Sequence, residues 1–145
     1  MKQRIVRTRA RALFTILAVA ALGLLQSSSA WAYAEGYDTW GSFCVKDVCL
    51  PGGEFGYVVR GSGNNVTTIE GFGVAPRVCN WHMDFAFYDG NNRRVANYTQ
   101  ATVYNCTSRP TRRVNVNRRM PNGRTCGRLY INNVHKATVC HAINP

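Results

Sequence analysis

All six cysteines of this chain lie downstream of an N-terminal export signal, and this order constrains the fold more than any other feature. Residues 2–11 are rich in basic side chains, residues 13–25 are apolar, and two overlapping Ala-x-Ala sites end at Ala32 and Ala34. Such an arrangement is typical of a secretory signal peptide. The apolar run gives only about 20 Å of helix, less than the ~30 Å core of a bilayer. We therefore predict a signal peptide over residues 1–32, cleaved after Ala32 or Ala34, and a secreted, extracellular protein with no membrane span after cleavage.

An oxidising compartment favours disulfide bonds over a metal site for an even set of cysteines. Antiparallel strands suggest one pairing, since opposed residues share a constant index sum. It predicts the bridges Cys79–Cys106 and Cys126–Cys140, and the two cysteines that remain, Cys44 and Cys49, are close enough in sequence to close a tight loop. The Cys79–Cys106 bridge predicts a register with Trp81 opposite Tyr104 and Phe87 opposite Tyr98. The Cys126–Cys140 bridge predicts a three-residue loop centred on Asn133. Six cysteines allow 15 connectivities, so bridges between two sheets remain open.

Alternating apolar and polar residues indicate strands, and no helical periodicity is present. Residues 78–88, for example, place Cys79, Trp81, Met83, Phe85 and Phe87 on one face. Further strands are predicted over 55–60, 66–72, 94–104, 113–120, 126–131 and 135–143, separated by Gly- and Asn-rich turns. This pattern predicts an all-β domain over residues 44–145. Its fold class is a small disulfide-stapled antiparallel β-sandwich, or a partly open barrel, with a flexible aromatic N-terminal arm.

The predicted arm, residues 33–43, is unusually aromatic. It carries Tyr33, Tyr37, Trp40 and Phe43 ahead of the first cysteine. Tyrosine and tryptophan are favoured interface anchors. Two interpretations stay open: the arm folds back on its own sheet, or these four side chains bind a partner protein.

Charge is divided between the two halves of the mature chain. All seven acidic residues lie at or before Asp89, whereas residues 90–145 carry ten basic ones. The predicted basic patch comprises Arg109, Arg112, Arg113, Arg118, Arg119, Arg124 and Arg128. One interpretation is that acidic and basic strands are neighbours in the sheets, so that their opposite charges partly neutralise each other. The others are an acidic protein or cell-wall surface as partner and, least favoured, nucleic acid. The preference for arginine over lysine suggests a GC-rich genome, such as that of an actinobacterium.

Residues suited to catalysis do not form a recognisable motif. The candidates for acid–base chemistry are Glu54, Glu70, His82, His135 and His141, and no spacing singles out a pair among them. His135 and His141 are about 20 Å apart along one strand and cannot share an ion. We therefore predict no enzyme activity, no catalytic residues, no metal site and no cofactor.

The short loop between Cys44 and Cys49 has two interpretations. It is either a stapled entry into the first sheet or a rigid protease-inhibitor loop.

In size, export signal, cysteine count, all-β character and aromatic N-terminal segment, the chain resembles the small adaptor subunits of the actinobacterial umbrella toxin particles. The resemblance implies a non-enzymatic adaptor that joins a lectin subunit to the repeat ring of a large toxin polypeptide. It also implies docking through the N-terminal segment, here residues 33–43. The expected function is a secreted protein-binding module, plausibly within an extracellular antibacterial assembly. The alternative is a stand-alone cationic effector that binds cell wall, or a protease inhibitor.

Overall fold

The computed structural model describes residues 31–45 and 48–144, and these form ten β-strands. The predicted signal peptide lies outside the described residues except for Trp31 and Ala32. Within the described part, no helix that could cross a membrane is found. The strands are β1 (Trp31–Trp40), β2 (Phe43–Val45), β3 (Val48–Leu50), β4 (Gly53–Ser62), β5 (Asn65–Val74), β6 (Trp81–Asp89), β7 (Arg94–Thr99), β8 (Thr111–Arg119), β9 (Gly123–Ile131) and β10 (Val134–Ile143).

The eight longer strands form two antiparallel sheets that pack face to face. Sheet 1 has the order β1-β4-β5-β8, and sheet 2 has the order β10-β9-β6-β7. The predicted all-β, disulfide-stapled sandwich is confirmed, in the form of an open sandwich rather than a barrel. Strands of the acidic and basic halves pair with each other, as β5 does with β8 and β6 with β9. The interleaved arrangement of charge is therefore present in both sheets.

Alternation along the strands determines the core. On β6, Trp81, Met83, Phe85 and Phe87 are all buried, as the pattern predicts. They face the buried side of sheet 1, where Tyr57 is the largest of the fully buried side chains. Its hydroxyl shares a 2.7 Å hydrogen bond with Thr125 Oγ1 across the two sheets. This buried polar contact is satisfied on both sides, because Thr125 also bonds Ala86 O at 3.2 Å.

Two tight turns confirm the predicted hairpins. Gly63 has φ 54°, and Asn132 and Asn133 have φ 52° and 60°. Positive φ at both central residues is the requirement of a type I′ turn, which asparagine tolerates. The predicted three-residue loop on Asn133 is wrong: the loop has two residues. The extra residue is absorbed in a register shift between His135 and Ala137.

The predicted register of β6 against β7 is also wrong. Phe85, not Phe87, lies opposite Tyr98, and Trp81 bridges to Val103 rather than to Tyr104. The reason is that β7 ends at Thr99 and a register shift occurs between Phe87 and Tyr88. The rings of Phe87 and Tyr98 still meet edge to face, 6.0 Å apart, as diagonal neighbours.

The three predicted disulfides are all present, as Cys44–Cys49, Cys79–Cys106 and Cys126–Cys140. Two of them join directly opposed residues, in the hairpins β2–β3 and β9–β10. The remaining bridge, Cys79–Cys106, joins the residues just before β6 to the crossing segment, residues 100–110, which connects β7 in sheet 2 to β8 in sheet 1. In that crossing, Thr107 pairs with Val78 and Pro110 O accepts from Gly73 N at 2.8 Å.

The two sides of the sandwich differ. On one side β1 meets β10, where Thr138 N donates to Asp38 Oδ2 at 2.9 Å. His141 Nε2 of β10 also donates to Tyr57 O of β4, the neighbour of β1, at 2.9 Å. Gly36 is needed here, because a Cβ would lie 2.9 Å from both Val139 and His141. On the other side are the edge strands β7 and β8, which do not pair with each other. The sandwich is therefore closed at β1–β10 and open at β7–β8.

Candidate functional site

The N-terminal segment differs from its expected form. Instead of a flexible arm, residues 31–40 form edge strand β1, paired with β4 along its whole length. The interpretation that this segment folds back on its own sheet is thus confirmed for the backbone. Tyr33 lies opposite Arg60 in the ladder and Phe43 begins β2, and the side chains of both lie outside the described residues.

The two described aromatics of this segment point to opposite faces of sheet 1. Trp40 points inward and is 7% exposed, with its ring against Gly53. Tyr37 points outward and is 53% exposed. Strand alternation places them on opposite faces, since their positions in the strand differ by three, an odd number. Of this pair, only Tyr37 is available to a partner.

Tyr37 belongs to an apolar patch, named here the aromatic face and made of Tyr37, Val58, Phe72 and Val74. The Tyr37 and Phe72 rings meet edge to face with centroids 5.8 Å apart. They meet above Gly56, where a Cβ would lie 2.3 Å from the Phe72 ring. Val74, two residues after Phe72, is 49% exposed, and Val58, two residues after Gly56 on the same face of β4, is buried.

Charged groups border the aromatic face. Tyr37 donates to Glu35, and Arg60 pairs with Glu70 at 2.9 Å. Arg113 reaches the same Glu70 oxygen at 3.7 Å. An apolar centre surrounded by polar groups is the usual anatomy of a protein interface.

The structure divides the predicted basic patch among several surfaces. Arg113 points outward from β8 towards Glu70, Arg112 points inward over the Trp81 ring, and Arg119 Nε donates to Asn64. Arg118 is an exposed residue of β8, and Arg109 lies in the crossing segment before it.

Arg124 and Arg128 lie on the other sheet. Both guanidinium groups lie near the Tyr88 ring, at 5.2 Å and 5.9 Å from its centroid. Arg128 also donates to the Tyr88 hydroxyl at 2.7 Å. The seven arginines therefore do not form one patch.

Sequence reasoning missed a polar cluster on the outer face of sheet 2. The His82 ring stacks on the Tyr130 ring with centroids 4.7 Å apart, and the His135 ring contacts the same Tyr130 ring edge to face with centroids 5.5 Å apart. Asp84 lies beside Arg128 in the ladder, and one of its oxygens is buried with no hydrogen-bond partner. The alternation of residues 82, 84 and 88 predicts which face they share, but the pairing of β9 with both β6 and β10 is needed to bring Arg128, Tyr130 and His135 to that face.

The five acid–base candidates do not converge. His82 and His135 share the outer face of sheet 2, whereas His141 points inward to Tyr57 O. Glu54 and Glu70 are on sheet 1. Among residues 31–45 and 48–144, no group of three or more His, Cys, Asp or Glu side chains is arranged to hold a metal ion.

Tyr57 and Asp89 both have shifted pKa values, and burial lowers the pKa of Lys136. Burial raises the pKa of the Tyr57 hydroxyl far above its ordinary value, and the hydrogen bond to Thr125 only partly opposes this. The backbone hydrogen bond from Arg93 is the largest cause that lowers the pKa of Asp89. Tyr57 and Asp89 support the scaffold, since one is in the core and the other in the β6–β7 turn.

The loop proposed as an inhibitor site is only partly described. Cys44 and Cys49 are opposed and exposed, and residues 46 and 47 between them lie outside the described part. The inhibitor interpretation stays a prediction.

No family model, curated protein or solved structure matches this chain.

Proposed function

We propose that the protein is an exported, non-enzymatic binding module that docks on a partner protein outside the cell through its aromatic face. The observation that carries this proposal is Tyr37, a half-exposed tyrosine held on edge against Phe72 by a strand-paired backbone. Val74 extends the apolar surface beside it. The occupant is a protein surface with an apolar centre, since charged groups lie only at the border of the face.

The position of Tyr37 suits a binding hot spot. Tyrosine contributes a large amphipathic area with few rotatable bonds, and hot spots are enriched in it. The ring is already fixed by its contact with Phe72, so little side-chain freedom is lost on binding. Truncation of such a residue typically costs at least about 2 kcal/mol of binding free energy, or about 30-fold in affinity.

Export and assembly complete the proposal. Three disulfides in a domain of this size are typical of proteins that fold in an oxidising compartment, in keeping with the N-terminal signal sequence. The finer function, an adaptor subunit of an extracellular antibacterial toxin assembly, derives from the resemblance described above. An adaptor needs one surface for each of two partners, and the aromatic face supplies one.

Affinity capture tests the aromatic face. Tagged wild-type protein, Tyr37→Ala and Tyr104→Ala are expressed in the source organism and recovered from culture supernatant. Tyr104 is the matched control, because it is 77% exposed and follows β7 in sheet 2 rather than lying in sheet 1. We expect a stoichiometric protein partner with the wild type and Tyr104→Ala, and at least about tenfold less with Tyr37→Ala.

Three results would contradict the proposal. The wild type could be recovered only as a free monomer at its native concentration. The Tyr37→Ala protein could retain the full amount of partner. The two variants could lose the partner equally, which would place the interface outside the aromatic face. Melting temperatures of both variants establish that any loss of partner is not a loss of folding.

A further inference from the structure

The open side of the sandwich lies between β7 and β8, the edge strands that do not pair with each other. Five hydrophobic residues pack against the core yet remain only partly buried, and they lie on β7, on β8 or in the segment that connects these two strands: Ala96, Tyr98, Val103, Val114 and Val116. On the closed side, Thr138 N of β10 donates to Asp38 Oδ2 of β1, which joins the two edge strands directly. The core is thus left incompletely covered at one place. We name these five residues, together with Arg112, the open-side groove.

Both borders of the groove are strand edges. β7 and β8 are the last strands of sheet 2 and sheet 1, and within the described residues neither has a strand on its outer edge. An uncovered strand edge presents backbone N–H and C=O groups on which an extended segment can pair. β8 is the longer of the two, with nine residues, so it can pair with a segment of about 30 Å.

Arg112 gives the groove a chemical preference. Its side chain points inward from β8, and its guanidinium lies 5.2 Å from the Trp81 ring centroid. Arg112 Nε and Trp81 Nε1 are both buried without a hydrogen-bond partner. An inward charge on an edge strand opposes pairing with an apolar strand. The same charge favours a segment that brings a carboxylate, since a guanidinium binds carboxylate with two hydrogen bonds.

The net charge around the groove is positive, like the charge of Arg112. β7, the crossing segment and β8 all derive from residues 90–120, which contain seven arginines and no acidic residue. Two of these arginines pair with acids from earlier strands, Arg93 with Asp89 and Arg113 with Glu70. The positive charge that remains complements an acidic ligand.

We infer that the open-side groove binds an extended acidic segment of a partner protein, which adds to β8 as a further strand of sheet 1. One carboxylate of that segment pairs with Arg112, and apolar side chains at alternate positions cover Val114 and Val116. This interface is separate from the aromatic face and does not depend on it. Together the two surfaces would let one small domain hold two partners.

Amide NMR of the folded, oxidised protein tests the groove directly. The probes are nine-residue peptides of alternating threonine and valine, in which one valine is replaced by aspartate. A set with the aspartate at each inward position covers the possible registers and both strand directions. The control set carries asparagine instead of aspartate.

We expect saturable shifts of the β7 and β8 amides and of the Trp81 indole with at least one peptide. The affinity should fall at least about tenfold with asparagine and should fall with added salt. Arg112→Gln should abolish the preference for aspartate. Arg113→Gln, which removes the same charge from the outward face of the same strand, should retain it. Tyr37→Ala should bind the peptide as the wild type does, which separates this test from that of the aromatic face.

Several results would overturn the inference. They are the absence of saturable shifts at millimolar peptide in every register, equal affinity for aspartate and asparagine peptides, and shifts that map to β1. Equal losses in Arg112→Gln and Arg113→Gln would indicate general electrostatic attraction. Inorganic polyphosphate that displaces the peptide at equal charge would indicate a polyanion surface instead. If Arg112→Gln does not fold, Arg112→Lys takes its place, and an aspartate preference as strong as that of the wild type would count against the two-bond contact.

Discussion

Substitutions at Trp40 and Tyr37 distinguish the structural role of the N-terminal segment from its proposed role in binding. Its side chain is 7% exposed and packs against Gly53 and its surroundings, beneath the strand whose outer face presents Tyr37. Truncating a buried tryptophan to alanine costs about 3–5 kcal/mol of unfolding free energy. For a domain of about 110 residues this corresponds to a fall in melting temperature of roughly 12–25 °C. Tyr37→Ala removes a half-exposed ring with one edge contact and should cost about 1 kcal/mol.

Thermal denaturation followed by far-ultraviolet circular dichroism measures both variants. A third variant, Trp40→Phe, is the control, because it keeps a buried aromatic ring but removes the indole N–H. Trp40 Nε1 is buried without a hydrogen-bond partner, so phenylalanine loses ring area but also removes an unsatisfied donor. We expect its net cost to be about 1 kcal/mol or less.

The reasoning would be refuted if Trp40→Ala melted within about 3 °C of the wild type, because β1 would then contribute little to the core. It would also be refuted if Tyr37→Ala were the less stable of the two. Deleting residues 33–42 cannot make this distinction, since the deletion removes Trp40 and Tyr37 together and takes an edge strand from sheet 1.

Three further predictions concern the scaffold. Tyr57→Phe removes the buried hydrogen bond to Thr125 and should cost about 1 kcal/mol of unfolding free energy by chemical denaturation. Because the pKa of Tyr57 is raised in the folded state, the contribution of this tyrosine is present below its unfolded pKa and is lost at alkaline pH. The variant should therefore lose less stability than the wild type above pH ~10. Replacing Cys126 and Cys140 together with alanine opens a bridge with a sequence separation of 14 and should cost about 3 kcal/mol by calorimetry. The pKa of Asp89 is lowered, so its contribution is present above the unfolded pKa and is lost as pH falls through the folded one; Asp89→Asn should therefore flatten the acid limb of a stability–pH curve.

The elements that sequence could predict were those fixed by local patterns. Alternation on β6 gives the buried face of the strand without knowledge of its neighbours. The Asn132-Asn133 pair gives a tight turn, because few other residues accept two successive positive φ angles. The Cys126–Cys140 bridge was predicted correctly although the turn length was not, because the register shift between His135 and Ala137 brings these two cysteines opposite each other.

The elements that sequence could not predict depend on contacts between distant strands. The prediction of the β6–β7 register is wrong because β7 ends at Thr99 and the chain then crosses to the other sheet. No residue type in the sequence indicates this crossing. The fate of Arg112 could not be predicted either, since its direction depends on the pairing of β8 with β5. The cluster of His82, Tyr130 and His135 likewise requires three strands in a particular order.

The two longer disulfides lie on different sides of the sandwich, one near the open side at β7–β8 and one near the closed side at β1–β10. Cys79–Cys106 joins the start of β6 to the segment that crosses between the sheets, and this crossing closes one end of the open-side groove. Cys126–Cys140 fixes β9 to β10, the strand that meets β1 on the closed side. Each longer bridge therefore holds the framework of one side. A groove whose edges are held apart before binding loses less conformational entropy when a strand enters it. If a segment adds to β8 as proposed, the covalent cross-links would therefore lower the entropic cost of that addition.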